Sequence, residues 1–265
     1  MKILIVNEEC NFARRDEGLF RELGYEVEYK LLKNRKSQFL WFFGDFIRAF
    51  KKARNADVIY SWWATSLATV LLGKISRRPV VIVAGGSEIE TDPVLLELED
   101  WLTYKKYPMH LKLLVKLTVC MADKILLVSK HTRKFDYHKI CKTPNDDVVY
   151  NCVDTGILKP IKNVKKPRIV TTGYMSEAYV KKKGYLELLE AFKIVSKKYP
   201  KFNLVYLGDV QKGEKDGRKL IKKKAIEYGI ADRVIFESFP KDKKTYAKFL
   251  NSCKIYVHYS KCDSF

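Results

Sequence analysis

Two stretches of the chain carry residues whose types and spacing suit chemistry on anions or hydroxyl groups. In the first, Lys183 and Gly184 stand at the predicted start of a helix, directly after a predicted strand and its loop. The positive end of the helix dipole, the flexible glycine and the lysine ammonium can converge there on phosphate groups. The alternative is that the lysines at 181–183 form a solvated basic loop.

The second stretch is GGSEIE at residues 85–90, which follows a predicted strand. Ligands of open α/β folds bind just beyond the carboxyl ends of the strands. Gly85 and Gly86 allow a backbone to approach closely, and Glu88 can orient or deprotonate a hydroxyl group. The alternative is an ordinary turn that carries a surface glutamate.

The elements that must position these residues alternate regularly. Short apolar, β-branched runs alternate with longer stretches of helical periodicity, which predicts parallel sheets flanked by helices. A polar stretch with two prolines at 158–168 is a predicted linker, after which the pattern restarts. We therefore predict an α/β protein of two Rossmann-like domains, residues 1–160 and 161–265.

The predicted strands and helices divide between these domains. Strands are predicted at 2–6, 26–32, 57–63, 79–85, 123–129 and 147–153, and then at 168–174, 202–208, 233–239 and 254–260. Helices are predicted at 16–25, 37–56, 64–76, around 111–117 and from about Lys130, and then at 183–199, 217–229 and 243–253. An open α/β domain ordinarily continues with another helix and strand, so we expect the second domain to be incomplete.

Composition and motifs narrow the classes of function. Lys and Arg total 51 against 31 Asp and Glu, and the net charge of +20 favours anionic partners such as nucleotide diphosphates and lipid headgroups. The six cysteines form no C-x-x-C pair, which predicts reduced thiols without a zinc site. No signal peptide or membrane-spanning segment is predicted, which favours the cytoplasm.

Three other functions lack their motifs. Gly73-Lys74 has neither the upstream glycine nor the following Ser or Thr of a Walker loop. Ile89 stands where a G-x-S-x-G nucleophile elbow needs its second glycine. The lysines are spread over many helices with no aromatic-interleaved recognition motif, which disfavours nucleic acid as a partner.

An aromatic segment, FLWFFGDFIRAF at 39–50, precedes the cationic KKAR at 51–54. Such a helix can lie in a membrane interface while its cations meet anionic headgroups. Its apolar residues also suit a helix packed on the first sheet, and Gly44 and Asp45 interrupt the apolar surface. Core packing is favoured, and peripheral contact with an anionic membrane is the alternative.

Seven motifs follow one another in a characteristic order. The first domain carries ADVIYSWW (56–63), RRPVVIVAGGSEIE (77–90), ADKILLVSKHTRKF (122–135) and VVYNCVDTGILKP (148–160). The second carries VTTGYMSEAYVKKKGYLELLEAF (170–192), FNLVYLGD (202–209) and DRVIFESFPKDKKTYAKFLNSCKIYVHYSKCDSF (232–265). In this order they resemble the retaining glycosyltransferases of the GT-B fold, family-4 type. The resemblance implies transfer of a hexose-type group from a nucleotide diphosphate donor to a hydroxyl acceptor, with retention and without an obligatory metal.

The resemblance also implies roles for individual residues. Lys183 matches the family's phosphate-binding lysine. The family's second cation follows a strand-end glycine, but Gly173 is followed here by Tyr174, so Lys181 or Lys182 is the candidate substitute. The predicted donor-binding residues are Gly173, Tyr174, Lys182, Lys183, Gly184, Gly208 and Phe239.

The catalytic candidates are Glu88, on the acceptor side, and Asp263. By the resemblance, Asp263 is the first acidic residue of the Glu-x7-Glu element, whose carboxylates contact sugar hydroxyls and the ribose; helix capping is the alternative. The expected acceptor is a glycan or a lipid-linked saccharide at the inner face of the membrane. The main alternative function is that of a binding or partner subunit, as a non-catalytic or truncated protein of the same fold. Tyr174 favours it, and so does the loop at 7–15, which lacks the glycine pair that the resembled family has there.

Overall fold

The computed structural model describes residues 1–7, 10–31, 38–86, 88–89, 104–134, 140–142, 145–162 and 165–260. These residues form two compact units, one up to Asn151 and the other from Cys152. Each unit contains one parallel sheet with helices packed on it. The predicted α/β class with two Rossmann-like units is therefore confirmed.

The first unit is built on a six-stranded parallel sheet in the order β2-β1-β3-β4-β5-β6. Its strands are β1 (Lys2–Asn7), β2 (Glu26–Leu31), β3 (Val58–Trp62), β4 (Val80–Ala84), β5 (Lys124–Leu127) and β6 (Asp146–Val148). Its described helices are α1 (Asn11–Glu22), α2 (Gln38–Arg54), α3 (Leu67–Ser76), α4 (Met109–Met121) and α5 (Lys130–Lys134), with a 3-10 turn at Tyr104–Lys106.

The side chains of β1 divide the core of the first unit into two layers, because successive residues of a strand point to opposite faces. Leu4 packs in the layer that includes Ala53 of α2 and Val70 of α3. Ile5 packs in the opposite layer, with Ala13 of α1. Both faces of the strand are buried, which explains why it forms a continuous apolar run in the sequence.

The second unit is built on a four-stranded parallel sheet in the order β10-β7-β8-β9. Its strands are β7 (Lys166–Thr172), β8 (Asn203–Leu207), β9 (Val234–Glu237) and β10 (Cys253–Tyr256). Its described helices are α6 (Glu177–Lys182), α7 (Tyr185–Lys198), α8 (Arg218–Glu227) and α9 (Lys243–Ser252), with a 3-10 turn at Ala231–Arg233. Tyr185, Phe192 and Tyr206 are buried in its largest core cluster.

The strand order reverses once in each sheet. In the first sheet β2 and β3 lie on opposite sides of β1, and in the second β10 and β8 lie on opposite sides of β7. Ligands of open α/β folds bind at such a switch point, in the crevice outside the carboxyl ends of the strands. The first crevice therefore lies between the loops after β1 and β3, and the second between the loops after β7 and β10.

Two element predictions were wrong at the edges of these crevices. Helix α1 begins at Asn11 and not at Asp16, because the charged stretch at 14–17 separates Phe12 and Ala13 of its first turn from the later apolar residues and interrupts the apolar periodicity on which the prediction relied. Residues 177–182, predicted as loop, form α6. Lys183 therefore ends α6, and α7 begins only at Tyr185.

The segment predicted as a linker is tied to the second unit. Asn251 of α9 accepts a hydrogen bond from the backbone N–H of Ile161 at 2.7 Å and donates its amide to the carbonyl of Lys159 at 3.0 Å. Strand β7 then begins at Lys166, inside the predicted linker. In the part of the chain that the structure describes, no helix has the length and apolarity needed to cross a bilayer.

Candidate functional site

Glycines allow the backbone segments of the second crevice to touch. A Cβ on Gly208, which follows β8, would overlap the carbonyl oxygen of Gly173, which follows β7. A Cβ on Gly173 would lie 2.5 Å from the hydroxyl of Tyr185. Gly184 has a φ of +59°, and a Cβ there would overlap the ring of Tyr259, beyond β10. These predicted glycines therefore permit the close approach of three strand-end loops.

Asp209 joins the loops after β7, β8 and β9. Its backbone carbonyl accepts from the N–H of Met175 at 3.0 Å, and its carboxylate accepts from the N–H of Phe239 at 3.2 Å. Gly208, just before it, donates to the carbonyl of Glu237 at 2.8 Å. Gly208 and Phe239 are among the predicted site residues and Asp209 is not, although its place directly after a strand-end glycine is a usable signal.

Tyr174 contributes a ring at the position where the resembled family has an arginine. It meets Tyr179 edge-on with ring centroids 5.3 Å apart and Phe239 at 6.1 Å. Tyr174 remains 40% exposed. The end of β7 therefore presents an aromatic cluster, with Tyr174, Tyr179 and Phe239 as its members, in place of a second cation.

The lysine stretch lies at the switch point between β7 and β10. Lys182 is buried at 6% exposure, whereas Lys183 is partly exposed. Ser260, beyond β10, donates a hydrogen bond to the carbonyl of Lys182 at 3.5 Å. The interpretation as a solvated basic loop is wrong, because the stretch is the helical end of α6 and Lys182 is inside the unit. Helix α7 begins immediately afterwards and brings the positive end of its dipole to the crevice.

Aromatic side chains line the first crevice. Trp63 follows β3 with a φ of 81°, a backbone conformation that bulky residues rarely adopt. Phe12 of α1 stacks on Trp62 with ring centroids 4.9 Å apart and meets Trp63 edge-on at 6.2 Å. A Cβ on Gly85 would overlap the ring of Trp63. The packing of Trp63 thus requires the glycine that the sequence analysis had assigned to ligand approach.

Glu88 links the two loops that carry Trp63 and Gly85. Its Oε1 accepts from the backbone N–H of Gly85 at 2.7 Å and of Ala64 at 3.4 Å, and the residue is only 3% exposed. Burial, and to a lesser extent the charge of Glu88, raise the pKa of Tyr107 to about 12. The alternative of a turn with a surface glutamate is therefore wrong. A role for Glu88 in proton transfer stays a prediction.

Two buried polar side chains that the sequence analysis missed support the rings of the first crevice. One carboxylate oxygen of Asp16 accepts from the hydroxyl of Tyr60 and from Nε1 of Trp62, both at 2.7 Å, and the other accepts from Nε of Arg15 at 3.1 Å. Asn7 accepts from the backbone N–H of Trp62 at 2.7 Å. Burial and the Asp16 carboxylate raise the pKa of Tyr60 above its usual value.

The described part of the aromatic segment on α2 confirms the core-packing interpretation. Ala49 and Ala53 are buried in the first unit, and Phe46 and Phe50 pack against the same cluster. Ile47 is 54% exposed. The face that carries these four buried or packed residues is therefore committed to the sheet.

Asp263 lies outside the described residues, and its predicted role stays a prediction. Where the structure describes side chains, no group of three or more His, Cys, Asp or Glu residues is placed to hold a metal ion. The expectation of a reaction without an obligatory metal is not tested by that finding and also stays a prediction.

Comparisons with known proteins agree with this architecture. Residues 159–265 match the family model described as Glycosyl transferases group 1. HepE from Anabaena, solved in complex with UDP, has a TM-score of 0.71 and 16% identity, covering 99% of this chain and 75% of that one. Sucrose-phosphate synthase from Thermosynechococcus elongatus has a TM-score of 0.72 and 14% identity, covering 100% and 77%. No curated protein sequence matches the chain.

A third solved structure, a glycosyltransferase from Rickettsia africae, has a TM-score of 0.65 and 14% identity, covering 98% of this chain and 73% of that one. At such low identities the structural likeness establishes the fold, and the family model identifies the second unit. The chain thus has the GT-B fold, and its residues 159–265 match the family model of glycosyl transferases group 1.

Proposed function

We propose that this protein transfers a sugar from a nucleotide diphosphate donor to a hydroxyl acceptor. The observation that carries the proposal is the contact between Gly184, which lies between Lys183 and the start of α7, and the loop after β10, at the switch point of the second sheet. A helix N-terminus and a lysine stabilise the negative charge that grows on a departing diphosphate. This crevice lies within the residues that match the family model.

The aromatic cluster at the end of β7 supports a nucleotide as the leaving group. Tyr174 and Phe239 offer ring faces and edges beside the glycines, and aromatic side chains stack on nucleobases without regard to base identity. Because Tyr174 replaces the family's second cation, Lys183 carries more of the phosphate charge here. HepE was solved with UDP and with UDP-glucose, which makes UDP the first nucleotide to test on this chain.

The first crevice is the proposed acceptor site. Phe12 and Trp63 supply rings that can pack on the apolar face of a saccharide, and Glu88 fixes the loops beside them. The proposed reaction is a retaining hexosyl transfer to a glycan or a lipid-linked saccharide, with Asp263 contacting sugar hydroxyls. The net charge of +20 would favour work at the inner, anionic face of a membrane.

Nucleotide binding by the full chain tests the donor site. Thermal shift and calorimetry with UDP, GDP and ADP should give binding by one of them, since a ligand of the folded state raises the melting temperature. Lys183→Ala should weaken that binding by about 10-fold to 100-fold, as expected for loss of a charge-assisted contact. Lys197→Ala is the matched control, because Lys197 is an exposed lysine near the other end of α7.

The possible outcomes separate the alternatives. Equal binding by the wild type and Lys183→Ala would place the nucleotide elsewhere, and absence of binding by all three nucleotides would overturn the proposal. Binding of the matching nucleotide sugar without its hydrolysis, and without transfer to glycan or lipid-linked acceptors, would favour the non-catalytic subunit. Turnover that is lost in Lys183→Ala and kept in Lys197→Ala would support the enzyme.

A further inference from the structure

A cavity of about 700 Å³ opens at the edge of the first sheet opposite its crevice, before β3 and β4 begin. The ends of α2 and α3 and the turn after α3 line it. Its side chains include four cations and two large apolar groups: Lys51, Arg54, Arg77, Arg78, Phe50 and Ile75. No carboxylate occurs among the described residues that line this cationic cavity.

Ion pairs distinguish the cavity from its surroundings. Neighbouring lysines are neutralised, because Lys52 pairs with Glu28 and Lys74 pairs with Asp123 at 2.7 Å. The four cations of the cavity make no ion pair with any carboxylate in the described ranges. Like charges that share a cavity repel one another, and this repulsion is relieved when an anion enters.

The helix ends that border the cavity do not cancel this positive charge. The last carbonyls of a helix carry partial negative charge, but those of Arg54, Gly73 and Lys74 already accept hydrogen bonds here. Arg78 donates its guanidinium N–H to the carbonyl of Arg54 at 2.6 Å. Its backbone N–H donates to the carbonyl of Gly73 at 2.9 Å, and that of Arg77 donates to the carbonyl of Lys74 at 3.3 Å.

Arg77 is held in a left-handed conformation, with φ 55° and ψ 44°, at the position that follows the last residue of α3. Glycine usually occupies such a C-terminal position because other residues are strained there. An arginine adds nothing to the turn itself that glycine would lack, but it does add a cation to the cavity. Backbone strain that is kept for a charged side chain points to a use for the charge.

The apolar groups indicate more than a bare anion. Ile75 is 59% exposed beside the cations, and Phe50 extends from the core cluster of the first unit into the cavity wall. Ile47, one helical turn before Phe50 on α2, is 54% exposed. The cations that could bind an oxyanion therefore lie next to an apolar surface.

We propose that the cationic cavity binds a phosphate group carried by an amphiphilic ligand, at a site separate from both crevices. Guanidinium groups favour phosphate because their N–H groups match its oxygens in pairs. A soluble phosphorylated molecule and the headgroup of an anionic lipid both present this chemistry. The site does not depend on the proposed sugar transfer.

The test compares two charge-matched variants of the full chain. Arg54→Gln with Arg77→Gln removes two cations from the cavity, and Lys197→Gln with Lys223→Gln removes two exposed cations from helices of the second unit. One arm titrates hexyl phosphate, a soluble amphiphile, by calorimetry at low salt, with inorganic phosphate as the reference that lacks an apolar part. The other measures flotation with phosphatidylglycerol-containing vesicles, with phosphatidylcholine vesicles as the neutral reference.

We expect the binding affinity of the cavity variant to fall about 10-fold to 30-fold in one arm, since each cation near an anionic surface contributes about a factor of five to the affinity. The control should change less than about 3-fold. Loss with soluble phosphates assigns a soluble ligand, and loss with anionic vesicles assigns a lipid headgroup. Equal behaviour of the two variants in both arms, or no binding by the wild type in either, would overturn the proposal.

A single substitution separates binding from folding. Arg77→Gly removes one cation at a position where glycine is the preferred residue, so it should not lower the melting temperature. Its affinity in the responding arm should still fall about 5-fold. Full affinity in a normally folded Arg77→Gly variant would exclude Arg77 from the site.

Discussion

The two crevices occupy equivalent topological positions but are built by different means. In the second unit, Gly173 and Gly208 remove side chains so that backbones meet, and the start of α7 supplies positive charge. In the first unit, rings line the crevice, and the buried carboxylates of Asp16 and Glu88 hold the rings and their loops in place. The contrast teaches that a glycine-built crevice depends on close backbone approach, whereas a ring-lined crevice depends on polar anchors.

The substitution that we expect to disturb this contrast most is Gly208→Val in the second unit. The new side chain has no room, because the carbonyl of Gly173 already occupies the position of its Cβ, and neither backbone can give way. We expect the second unit to lose about 3 kcal/mol or more of unfolding free energy, and nucleotide binding to disappear. Urea unfolding and calorimetry check this.

The control for that glycine is Gly18→Ala in α1. No heavy atom lies within 4 Å of a Cβ built there. The substitution should therefore stabilise the first unit by about 0.5 to 1 kcal/mol through helix propensity. An unchanged unfolding midpoint of Gly208→Val beside this control would refute the role of backbone contact.

The second largest effect is expected from Asp16→Asn in the first unit. The amide cannot accept from Tyr60, Trp62 and Arg15 together, so a buried donor is left unsatisfied and the ionic contact between Arg15 and residue 16 is lost. We expect the unfolding free energy of the first unit to fall by about 2 to 3 kcal/mol and the tryptophan fluorescence to shift. Asp232→Asn, at an exposed residue, should change the unfolding free energy by less than about 0.5 kcal/mol.

Gly85→Ala tests whether the two crevices have separate functions. Its methyl group must displace the ring of Trp63, which costs about 1 to 2 kcal/mol in the first unit. Under the proposed function, kcat/KM for the acceptor should fall while the Kd for the nucleotide stays at its wild-type value. A matching loss in nucleotide affinity would contradict the assignment of separate crevices to donor and acceptor.

The smallest expected effect concerns Asp216, whose carboxylate accepts from Nε of Arg218 at 2.9 Å and from Nη2 at 2.8 Å. These hydrogen bonds hold the pKa of Asp216 below its usual value. Because the pKa of Asp216 is lower in the folded than in the unfolded state, its ionised form stabilises the folded protein at pH values above the unfolded pKa of about 4. This stabilisation is lost as the pH falls through the pKa of the folded state. Asp216→Asn should cost about 0.5 kcal/mol at pH 7, because solvent screens the partly exposed pair.

Urea midpoints at several pH values measure that contribution. The difference between Asp216→Asn and the wild type should shrink steadily as the pH is lowered below about 4. A difference that keeps its full size at acidic pH would show that the ion pair with Arg218 is not its source.

The strands were predictable because buried parallel strands form apolar runs, and all ten predicted strands are present. Helix α6 was missed because it is short and ends in lysines, a composition typical of a solvated loop. The glycines of the second crevice were visible in the sequence because their spacing follows strand ends. Their contact partners, such as Tyr259 on Gly184, were not visible.

The anchors of the first crevice were beyond sequence reasoning for a physical reason. Asp16 is a common helix residue, and only the tertiary structure brings Tyr60 and Trp62 to its carboxylate. The positive φ of Trp63 likewise follows from packing on Gly85 and not from local preference.

The lysines at the end of α6 make proteolysis a measure of how often this part of the second unit unfolds locally. In an extended chain the lysines at 181–183 would be adjacent trypsin sites, but a protease must draw its substrate into an extended strand. Here Lys182 is buried, and the ring of Tyr259 covers the neighbouring Gly184. Cleavage at this point therefore requires α6 to unwind and part from the chain after β10, and its rate measures how often that happens.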